Sequence, residues 1–368
     1  MAFTRSCSRA LREMPVDLPT EGRSLKILVV RRDNIGDLVC TTPLLHGLRK
    51  KYPGAYIAVL ASSYNVEVLD RNPDVDEVFV FLKRHQKSHG YGRLSMLWNR
   101  WRLVRTIRRH LFDHIILANG GWRYARTLGG KQMIGFREPG EPDHRQPDVL
   151  APDHGGFDEH EVSKMARLGV MLGVDARDAM DETKLFPDPA ESKRQRARLL
   201  SLGWAAERPS VALHISSRKP DQRWRAESFV ALAKLLITAQ NVQVLLFWSP
   251  GSEHDAMHPG DDEKASFILR ELHGLPVFPC PTETIAQLVA GLSFPDQMIC
   301  SDGGAMHVAA ALRKPILCFF GTSPPKEWHP WGVPYRLIQK PSRAVADISV
   351  AEAFAAYEKL QEDVAVGG

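Results

Sequence analysis

Cysteine is scarce in this sequence and forms no motif. The 368 residues include five cysteines, and no two of them are spaced as a C-x-x-C pair. An odd number of scattered cysteines argues against a disulfide framework and against a zinc site. We therefore expect a protein of a reducing compartment, with a cytoplasmic location. The cysteines are Cys7, Cys40, Cys280, Cys300 and Cys318.

Long hydrophobic runs are missing as well. The uncharged stretch 235–252 is interrupted by polar residues and Pro250, so it indicates a helix end and a strand rather than a membrane span. Residues 1–24 carry arginines without a continuous apolar core, which does not fit a secretory signal, and we expect them to be disordered or loosely attached. With 44% hydrophobic and 25% charged residues, the chain is typical of a soluble protein long enough for two domains.

Acidic residues are absent from the stretch 83–110, which holds nine lysines and arginines interleaved with leucine, methionine and tryptophan. One interpretation is a solvated helix whose tryptophans pack on a sheet. Another is a basic amphipathic surface, possible on the inner face of the cytoplasmic membrane, that meets anionic lipid or an acidic lipid-linked acceptor. Nucleic acid is a weaker third reading and is not expected as a partner, because no nucleic-acid-binding motif accompanies the charge.

Short apolar strands alternate with helices in both halves of the chain. Strands are predicted at 25–30, 56–61 and 77–82, and again at 211–215, 242–247, 298–300 and 315–320. This alternation is typical of doubly wound parallel sheets. Thr42 is predicted to cap the first long helix, with Pro43 at its first position.

The predicted fold class is therefore α/β, with two Rossmann-like doubly wound domains. The proline-punctuated passage 174–189 serves as the linker between them. We assign 25–180 to the first domain, 181–345 to the second, and 346–368 to a closing helix that packs back on the first domain.

A glycine-rich turn follows the strand at 298–300 and reads S-D-G-G-A-M-H from Ser301 to His307. Consecutive glycines let a backbone approach a ligand closely, and the N-terminus of the following helix favours an anion. Gly303 and Gly304 are therefore predicted to bind phosphate, with Asp302 and His307 beside the pocket.

Two motifs resemble those of the heptosyltransferase-type bacterial glycosyltransferases. The sequence S-D-G-G-A-M-H-V-A-A-A-L-R-K-P, followed by F-F-G-T, resembles a nucleotide-binding signature that usually reads S-D-[TS]-G-x-x-H-x-A-A-A-L-x-x-P. Near the N-terminus, R-R-D-N-I-G-D-L-V-C-T-T-P-L-L resembles the catalytic loop of this family. Two motifs in the family's order make the resemblance specific, although Gly303 stands where Thr or Ser is usual.

The resemblance implies a GT-B architecture, in which two Rossmann-like domains face each other across a cleft. It implies an inverting, metal-independent transferase with no cofactor beyond its nucleotide-sugar co-substrate, ADP-heptose, and a lipopolysaccharide-core or related acceptor at the cytoplasmic membrane face. Asp37 is then the general base, at the carboxyl edge of the first strand, where open α/β sheets place ligands. Acceptor binding falls to Asn34, Thr41 and Thr42.

The resemblance also assigns the donor-binding side. Gly303 and Gly304 would hold the diphosphate, His307 would be an added donor on an exposed first turn, and Asp302 would bind the sugar. In the loop S-S-R-K-P-D-Q-R-W-R, Gln222 stands where the family has a lysine two residues before a tryptophan. The positive charge could come instead from Arg218, Lys219 or Arg223. Asp255, or alternatively Glu253, would bind the ribose.

No metal site is expected. Asp74 and Asp76 form a D-x-D pair, but they lie in a turn entering a strand, which favours a structural role. The loop 138–156 and its flank contain His144, Asp153, His154, Asp158 and His160, whose spacing fits no ligand pattern. Two alternatives stay open: a nucleotide-sugar epimerase of the same architecture, and a non-catalytic nucleotide- or glycan-binding protein. Asp37 argues against the second, since binding alone needs no base.

Overall fold

A computed structural model describes residues 24–83, 93–153, 159–254 and 260–367 of the chain. These residues form two six-stranded sheets, and every pair of neighbouring strands in them is parallel. Parallel strands need crossover connections, which here are mostly helices that cover both faces of each sheet. The predicted pair of doubly wound α/β domains is confirmed.

The first domain holds the first sheet and begins with a strand that is buried along nearly its whole length. Its elements are β1 (Lys26–Val30), α1 (Ile35–Val39), α2 (Thr42–Lys51), β2 (Tyr56–Ser62), β3 (Glu77–Phe81), α3 (Arg93–His110), β4 (His114–Leu117), α4 (Trp122–Ala125), β5 (Gln132–Gly135), β6 (Val149–Leu150), α5 (Glu161–Val170) and α6 (Ala176–Ala179), with 3₁₀ turns at Val66–Leu69, Arg126–Leu128 and Asp143–Arg145.

The second domain repeats the pattern around the second sheet. Its elements are α7 (Pro189–Ser201), β7 (Ser210–His214), α8 (Ala226–Gln240), β8 (Gln243–Trp248), α9 (Asp262–Glu271), β9 (Val277–Pro281), α10 (Ile285–Leu292), β10 (Gln297–Ser301), α11 (Gly304–Ala311), β11 (Ile316–Phe320), α12 (Pro325–Trp328), β12 (Tyr335–Gln339) and α13 (Val350–Gly367), with 3₁₀ turns at Pro220–Gln222 and Val345–Asp347.

Four local features differ from the sequence prediction. The loop after β1 contains the short helix α1, and the stretch 138–156 contributes the edge strand β6. The helix α7 follows the linker, with Asp188 accepting the N–H of Glu191 as its N-cap and Pro189 in the first turn. The helix α2 already includes Thr42, so its N-cap is Thr41 rather than Thr42.

The strand order is the same in both sheets and places a switch point in each. It runs β3-β2-β1-β4-β5-β6 in the first sheet and β12-β11-β10-β7-β8-β9 in the second. The order reverses between β1 and β4 and between β7 and β10, and open α/β sheets bind ligands outside the carboxyl ends of the strands at such points. The loops after β1, β7 and β10 are therefore the positions where a site is expected.

The closing helix α13 packs on the second domain, so the prediction that it returns to the first domain is wrong. Tyr357 and Leu360 are fully buried in the core that the second sheet shares with α8. Just before the helix, the carbonyl of Ile348 accepts the indole N–H of Trp224 at 2.8 Å. The apolar face of α13 is thus used within the second domain, where it covers one face of the sheet.

Candidate active site

A cleft of about 620 Å³ separates the carboxyl edges of the two sheets. Segments of both domains line it, after β1, β2, β7, β8, β9, β10 and β11. The cleft brings together sequence motifs that lie far apart along the chain. Of the predicted site residues, its lining contains Asn34, Asp37, Arg218, Lys219, Gln222, Asp302, Gly303, Gly304 and His307.

Asp37 lies in the first turn of α1, at the edge of the cleft. Its Oδ2 atom accepts the backbone N–H of Asn34 at 3.2 Å, so the carboxylate also closes the N-terminus of this short helix. Its Oδ1 atom accepts a hydrogen bond from Nη2 of Arg31 at 2.8 Å. Asp37 thus caps the helix through Oδ2 and pairs with Arg31 through Oδ1, in addition to lining the cleft.

Arg31 is the centre of a buried ionic cluster directly after β1. Its side chain is 2% exposed, and Nη2 also donates to Oε1 of Glu161 at 2.7 Å. Nε lies 3.0 Å from Oδ1 of Asp33, and Nη1 donates to the carbonyl of Ala118 at the end of β4. Burial raises the pKa of Asp33 to about 6, although Arg31 opposes this shift.

His307 lies in α11 and is only 4% exposed, so the predicted position on an exposed turn is wrong. Its Nδ1 atom is 3.7 Å from Sγ of Cys40, and its ring meets Trp328 edge to face. Burial lowers the pKa of the imidazole, which Asp302 and Asp37 only partly offset. The ring is therefore neutral at neutral pH and retains one N–H to donate.

The two glycines of the turn have different surroundings. A side-chain Cβ on Gly303 would meet no atom within 4 Å, and the backbone there is extended, so this position opens into the cleft. A Cβ on Gly304 would lie 3.1 Å from Cβ of Ile35 in the first domain. Gly304 therefore permits contact between α11 and α1, in addition to any role toward a phosphate.

A polar chain connects the loop after β7 with the glycine turn. Gln222 is buried, and its amide donates to Oδ2 of Asp302 at 2.7 Å and to Oγ of Ser323 at 2.9 Å. The ammonium of Lys219 donates to the same Ser323 oxygen at 3.0 Å. Gln222 therefore positions Asp302, while Lys219 supplies a cation next to it.

The other two candidate cations of this loop, Arg218 and Arg223, have different positions relative to the cleft. Arg218 lines the cleft and is exposed. Arg223 uses Nε to donate to the carbonyl of Ser217 at 3.0 Å and is absent from the cleft lining. Among the three cations considered from sequence, Arg218 and Lys219 are the two that face the cleft.

Several lining residues were not predicted from sequence. Glu67 of the first domain reaches across the cleft, where its Oε2 atom accepts the N–H of Ala286 in the first turn of α10 at 2.9 Å. His214 ends β7, and burial, followed by the nearby charge of Lys264, lowers its pKa to about 4. The remaining unpredicted residues are Ile35, Gly36, Ser63, Tyr64, Ser216, Ser217, Ser249, Pro250, Thr282, Glu283, Thr284, Ile285, Leu288, Ser301, Ala305, Ser323 and Trp328.

Some predicted residues lie elsewhere. The buried hydroxyls of Thr41 and Thr42 donate to the carbonyls of Asp37 and Val39, so their prediction as acceptor contacts does not fit this arrangement. Asp255 falls outside the described residues, as do His154 and Asp158 of the possible metal pattern. Glu253, the alternative to Asp255, is described but is absent from the cleft lining.

The D-x-D pair has structural partners. Oδ2 of Asp74 accepts a hydrogen bond from Nδ1 of His46 at 3.1 Å, and Asp76 pairs with Arg49 at 2.7 Å. Within the described part of the chain, no group of three His, Cys, Asp or Glu side chains is arranged to hold a metal ion. His160 instead contacts the second domain, through a hydrogen bond of 2.9 Å between Nε2 and the carbonyl of His329.

The fold and the cleft together define the class of protein. Two Rossmann-like domains that face each other across a cleft have the GT-B architecture of nucleotide-sugar transferases. A solved glycosyl transferase of family 9 from Veillonella parvula superposes with a TM-score of 0.78 at 19% identity, over 95% of this chain and 99% of that one. The Escherichia coli ADP-heptose lps heptosyltransferase II gives a TM-score of 0.70 at 24% identity, over 92% and 100% of the two chains.

Comparison of the sequence with known proteins identifies the family. The model of glycosyltransferase family 9 (heptosyltransferase) matches residues 100–357, which is more than half of the chain. Lipopolysaccharide heptosyltransferase 3 of Escherichia coli is 24% identical over 315 residues, covering 80% of this chain and 83% of that protein. The chain belongs to glycosyltransferase family 9 and is a glycosyltransferase, which sets aside the epimerase and the non-catalytic binding protein.

The contact between α1 and α11 yields a prediction. A Cβ on Gly36 would lie 2.5 Å from Cδ2 of His307, whereas one on Gly303 would meet nothing within 4 Å. Gly36→Ala is expected to force the domains apart and to cost about 1–3 kcal/mol of stability, the usual range for overpacking. Thermal melting and small-angle scattering would measure the loss and the larger radius of gyration.

Gly303→Ala is the matched control and should leave both measurements unchanged. Equal effects of the two substitutions would show that the close approach to His307 is not what requires a glycine at position 36.

Proposed function

We propose that this glycosyltransferase moves heptose from a nucleotide-diphosphate heptose to a lipopolysaccharide-core or related glycan acceptor. The observation that carries this proposal is the placement of Asp37 and the Ser301–Gly304 turn on opposite walls of one cleft. The names of the relatives, which are heptosyltransferases of lipopolysaccharide, support heptose and this acceptor class. The name of a solved structure with the same fold supports ADP as the nucleotide.

Asp37 is the proposed general base. The acceptor oxygen attacks the anomeric carbon from the side opposite the diphosphate, so the carbon–diphosphate bond breaks as the new glycosidic bond forms with inversion. The hydroxyl proton passes to Asp37 in the same step. Oδ2 is suited to this role because its hydrogen bond to the Asn34 N–H is long, while Oδ1 is held by Arg31. Asn34 is exposed beside it and is the proposed acceptor contact.

The second domain is proposed to stabilise the leaving diphosphate. Lys219 and Arg218 place positive charge in the cleft, and the first turn of α11 offers backbone N–H groups. Donors that are already in place where negative charge develops lower the barrier without reorganising solvent. His307 adds a neutral donor, and Asp302, fixed by Gln222, accepts hydroxyl groups of the sugar. We propose that these groups, rather than a bound metal, balance the diphosphate charge.

The first test of this function concerns the base. Asp37→Asn keeps the shape of the side chain but removes proton acceptance, so turnover with ADP-heptose should fall by about 10²-fold or more. The affinity for ADP, measured by calorimetry, should stay within about twofold, because Asp37 does not face the diphosphate in this proposal. Turnover near that of the wild type would rule out Asp37 as the base.

The second test concerns the cation that replaces the family lysine. Lys219→Gln removes the ammonium beside Gln222 and should weaken ADP binding by about 1–3 kcal/mol, the usual value of a charge-assisted hydrogen bond. Arg225→Gln is the control, because Arg225 is an exposed cation of the same loop that does not line the cleft. If both variants bind ADP equally well, the diphosphate does not contact Lys219.

The helix α3 is proposed to place the enzyme on an anionic membrane surface, the inner face of the cytoplasmic membrane. The interpretation in which its tryptophans pack on the sheet is wrong, because Trp98 and Trp101 are 61% and 50% exposed. Their rings stack on each other, and Leu97 beside them is 60% exposed. Exposed arginines accompany this patch, namely Arg102, Arg105, Arg108 and Arg109.

Tryptophan and arginine at one surface suit the lipid interface, where rings enter the headgroup region and cations meet anionic headgroups. Within the described residues, no helix is long and apolar enough to cross a membrane. The attachment proposed here, through the exposed rings and arginines of α3, is peripheral. It would hold the enzyme beside a lipid-linked acceptor.

The third test uses vesicles that contain anionic lipid. The double variant Trp98→Ala, Trp101→Ala should bind such vesicles at least about tenfold more weakly than the wild type, because two interfacial anchors are lost. Added salt should weaken wild-type binding as well. Leu200→Ala with Leu202→Ala is the control, since these leucines are also exposed but lie at the end of α7. Equal loss in both double variants would contradict a specific role of α3.

A further inference from the structure

Glu161 has no place in the function proposed so far, although it touches the same guanidinium group as the base. It is 5% exposed, is the first residue of α5, and does not line the cleft. Its Oε1 atom and Oδ1 of Asp37 accept hydrogen bonds from the same nitrogen, Nη2 of Arg31, at 2.7 and 2.8 Å. The two carboxylates are therefore neighbours within one charge cluster, although 124 positions separate them in the sequence.

We propose that Glu161 is a positioning residue for Asp37, acting through Arg31. This inference rests on the proposed function of Asp37 as a base. Glu161 shares the hydrogen-bonding capacity of Nη2, so the guanidinium is held toward α5 and reaches only Oδ1 of Asp37. The other oxygen, Oδ2, is left with a single backbone contact and faces the acceptor.

The geometry around Arg31 supports this role. The guanidinium is fixed on several sides, because Nη1 donates to the Ala118 carbonyl and contacts Sδ of Met165 at 3.2 Å. Met165 lies one turn after Glu161 on α5, so one face of this helix provides both contacts. A guanidinium held in this way cannot turn to form a two-pronged pair with Asp37, which would neutralise the base more completely.

The start of α5 is itself held from two sides. His160 caps the helix, since its Nδ1 atom accepts the N–H of Val162 at 3.1 Å. Its Nε2 atom donates to the His329 carbonyl of the second domain, and its ring stacks on Trp331 at 4.6 Å. Glu161 follows directly in the chain. Its position is therefore set by contacts with both domains that form the cleft.

The charges around Arg31 determine in which direction the proton affinity of Asp37 should change when Glu161 is replaced. One guanidinium faces three carboxylates, those of Asp33, Asp37 and Glu161, so the cluster is net negative. A negative neighbour raises the proton affinity of a carboxylate, and a cation that pairs with it lowers that affinity. Replacing Glu161 with a neutral residue removes one negative charge and frees Arg31 for Asp37, and both changes make Asp37 a weaker base. The ionisable groups that interact electrostatically with Asp37 are Arg31, Asp33, Cys40, Lys83, His307 and Glu327, and Glu161 is linked to it through Arg31.

The experiment compares Glu161→Gln with the wild type in a full pH–rate profile. The acid limb of the kcat profile should move to lower pH. The plateau value of kcat should fall by about three- to thirtyfold, which is less than the loss expected when the base itself is removed. The KM values for donor and acceptor should stay within about twofold, since Glu161 touches neither substrate. A wild-type profile and kcat in the folded variant would overturn the inference, and so would a change confined to KM.

Two further variants separate this role from a purely structural one. Glu159→Gln removes a carboxylate two residues earlier that pairs with Arg167 instead of Arg31, and its profile should match the wild type. Glu161→Asp keeps the charge but shortens the reach, so its acid limb should stay in place while kcat falls. If Glu161→Gln does not fold, wild-type kcat in Glu161→Asp overturns the inference by itself.

A measurement without substrates separates this inference from the proposed function. The ¹³C signal of the Asp37 carboxyl, assigned with the Asp37→Asn variant, can be titrated in the full-length protein. In Glu161→Gln it should titrate at lower pH than in the wild type. An unchanged titration overturns the positioning role. A shifted titration in an enzyme that transfers no sugar from ADP-heptose would refute the proposed donor and leave the role of Glu161 standing.

Discussion

The close approach of α1 and α11 is the contact on which the cleft depends. Gly36 leaves room for the ring of His307, and Gly304 leaves room for Ile35, so two helices from different domains meet directly. Each helix follows a strand at the switch point of its own sheet. The contact therefore brings the two ligand-binding edges face to face. One glycine of each sequence motif, Gly36 and Gly304, serves this interface, and a side chain at either position would meet the opposite domain.

The two walls of the cleft carry charges of opposite sign, an arrangement that suits sugar transfer. The first-domain wall has a buried guanidinium surrounded by three carboxylates, and the second-domain wall has Lys219 and Arg218. A group that accepts a proton needs negative surroundings, whereas a diphosphate that gains charge as it leaves needs positive ones. Because removing one partner of a buried ion pair is costly, Arg31 also ties the loop after β1 to the body of its domain.

The local sequence was sufficient to predict those features of the fold and the site that depend on neighbouring residues in the chain. Apolar strands, the glycine turn and the carboxylate after β1 were all found, because each depends on a few consecutive residues. The contact between Arg31 and Glu161 was missed, since it joins residues 130 positions apart and depends on how α5 packs. The helix α13 was assigned to the wrong domain for a similar reason. An apolar stripe shows that a helix is covered, but it does not show which sheet covers it.

The glutamine that departs from the family pattern shows how the cleft can tolerate such a change. A lysine at position 222 would place a cation next to Asp302, whereas the amide of Gln222 gives its two hydrogens to Asp302 and Ser323. The Ser323 oxygen also accepts from Lys219, so this hydroxyl connects an ammonium group to the same amide through two hydrogen bonds. The positive charge of this loop thus lies at Lys219, three residues before Gln222, and Asp302 has an amide as its donor. Because Lys219 is exposed and Gln222 is buried, the ammonium group of this loop lies at the surface of the cleft, and a neutral amide occupies the buried position.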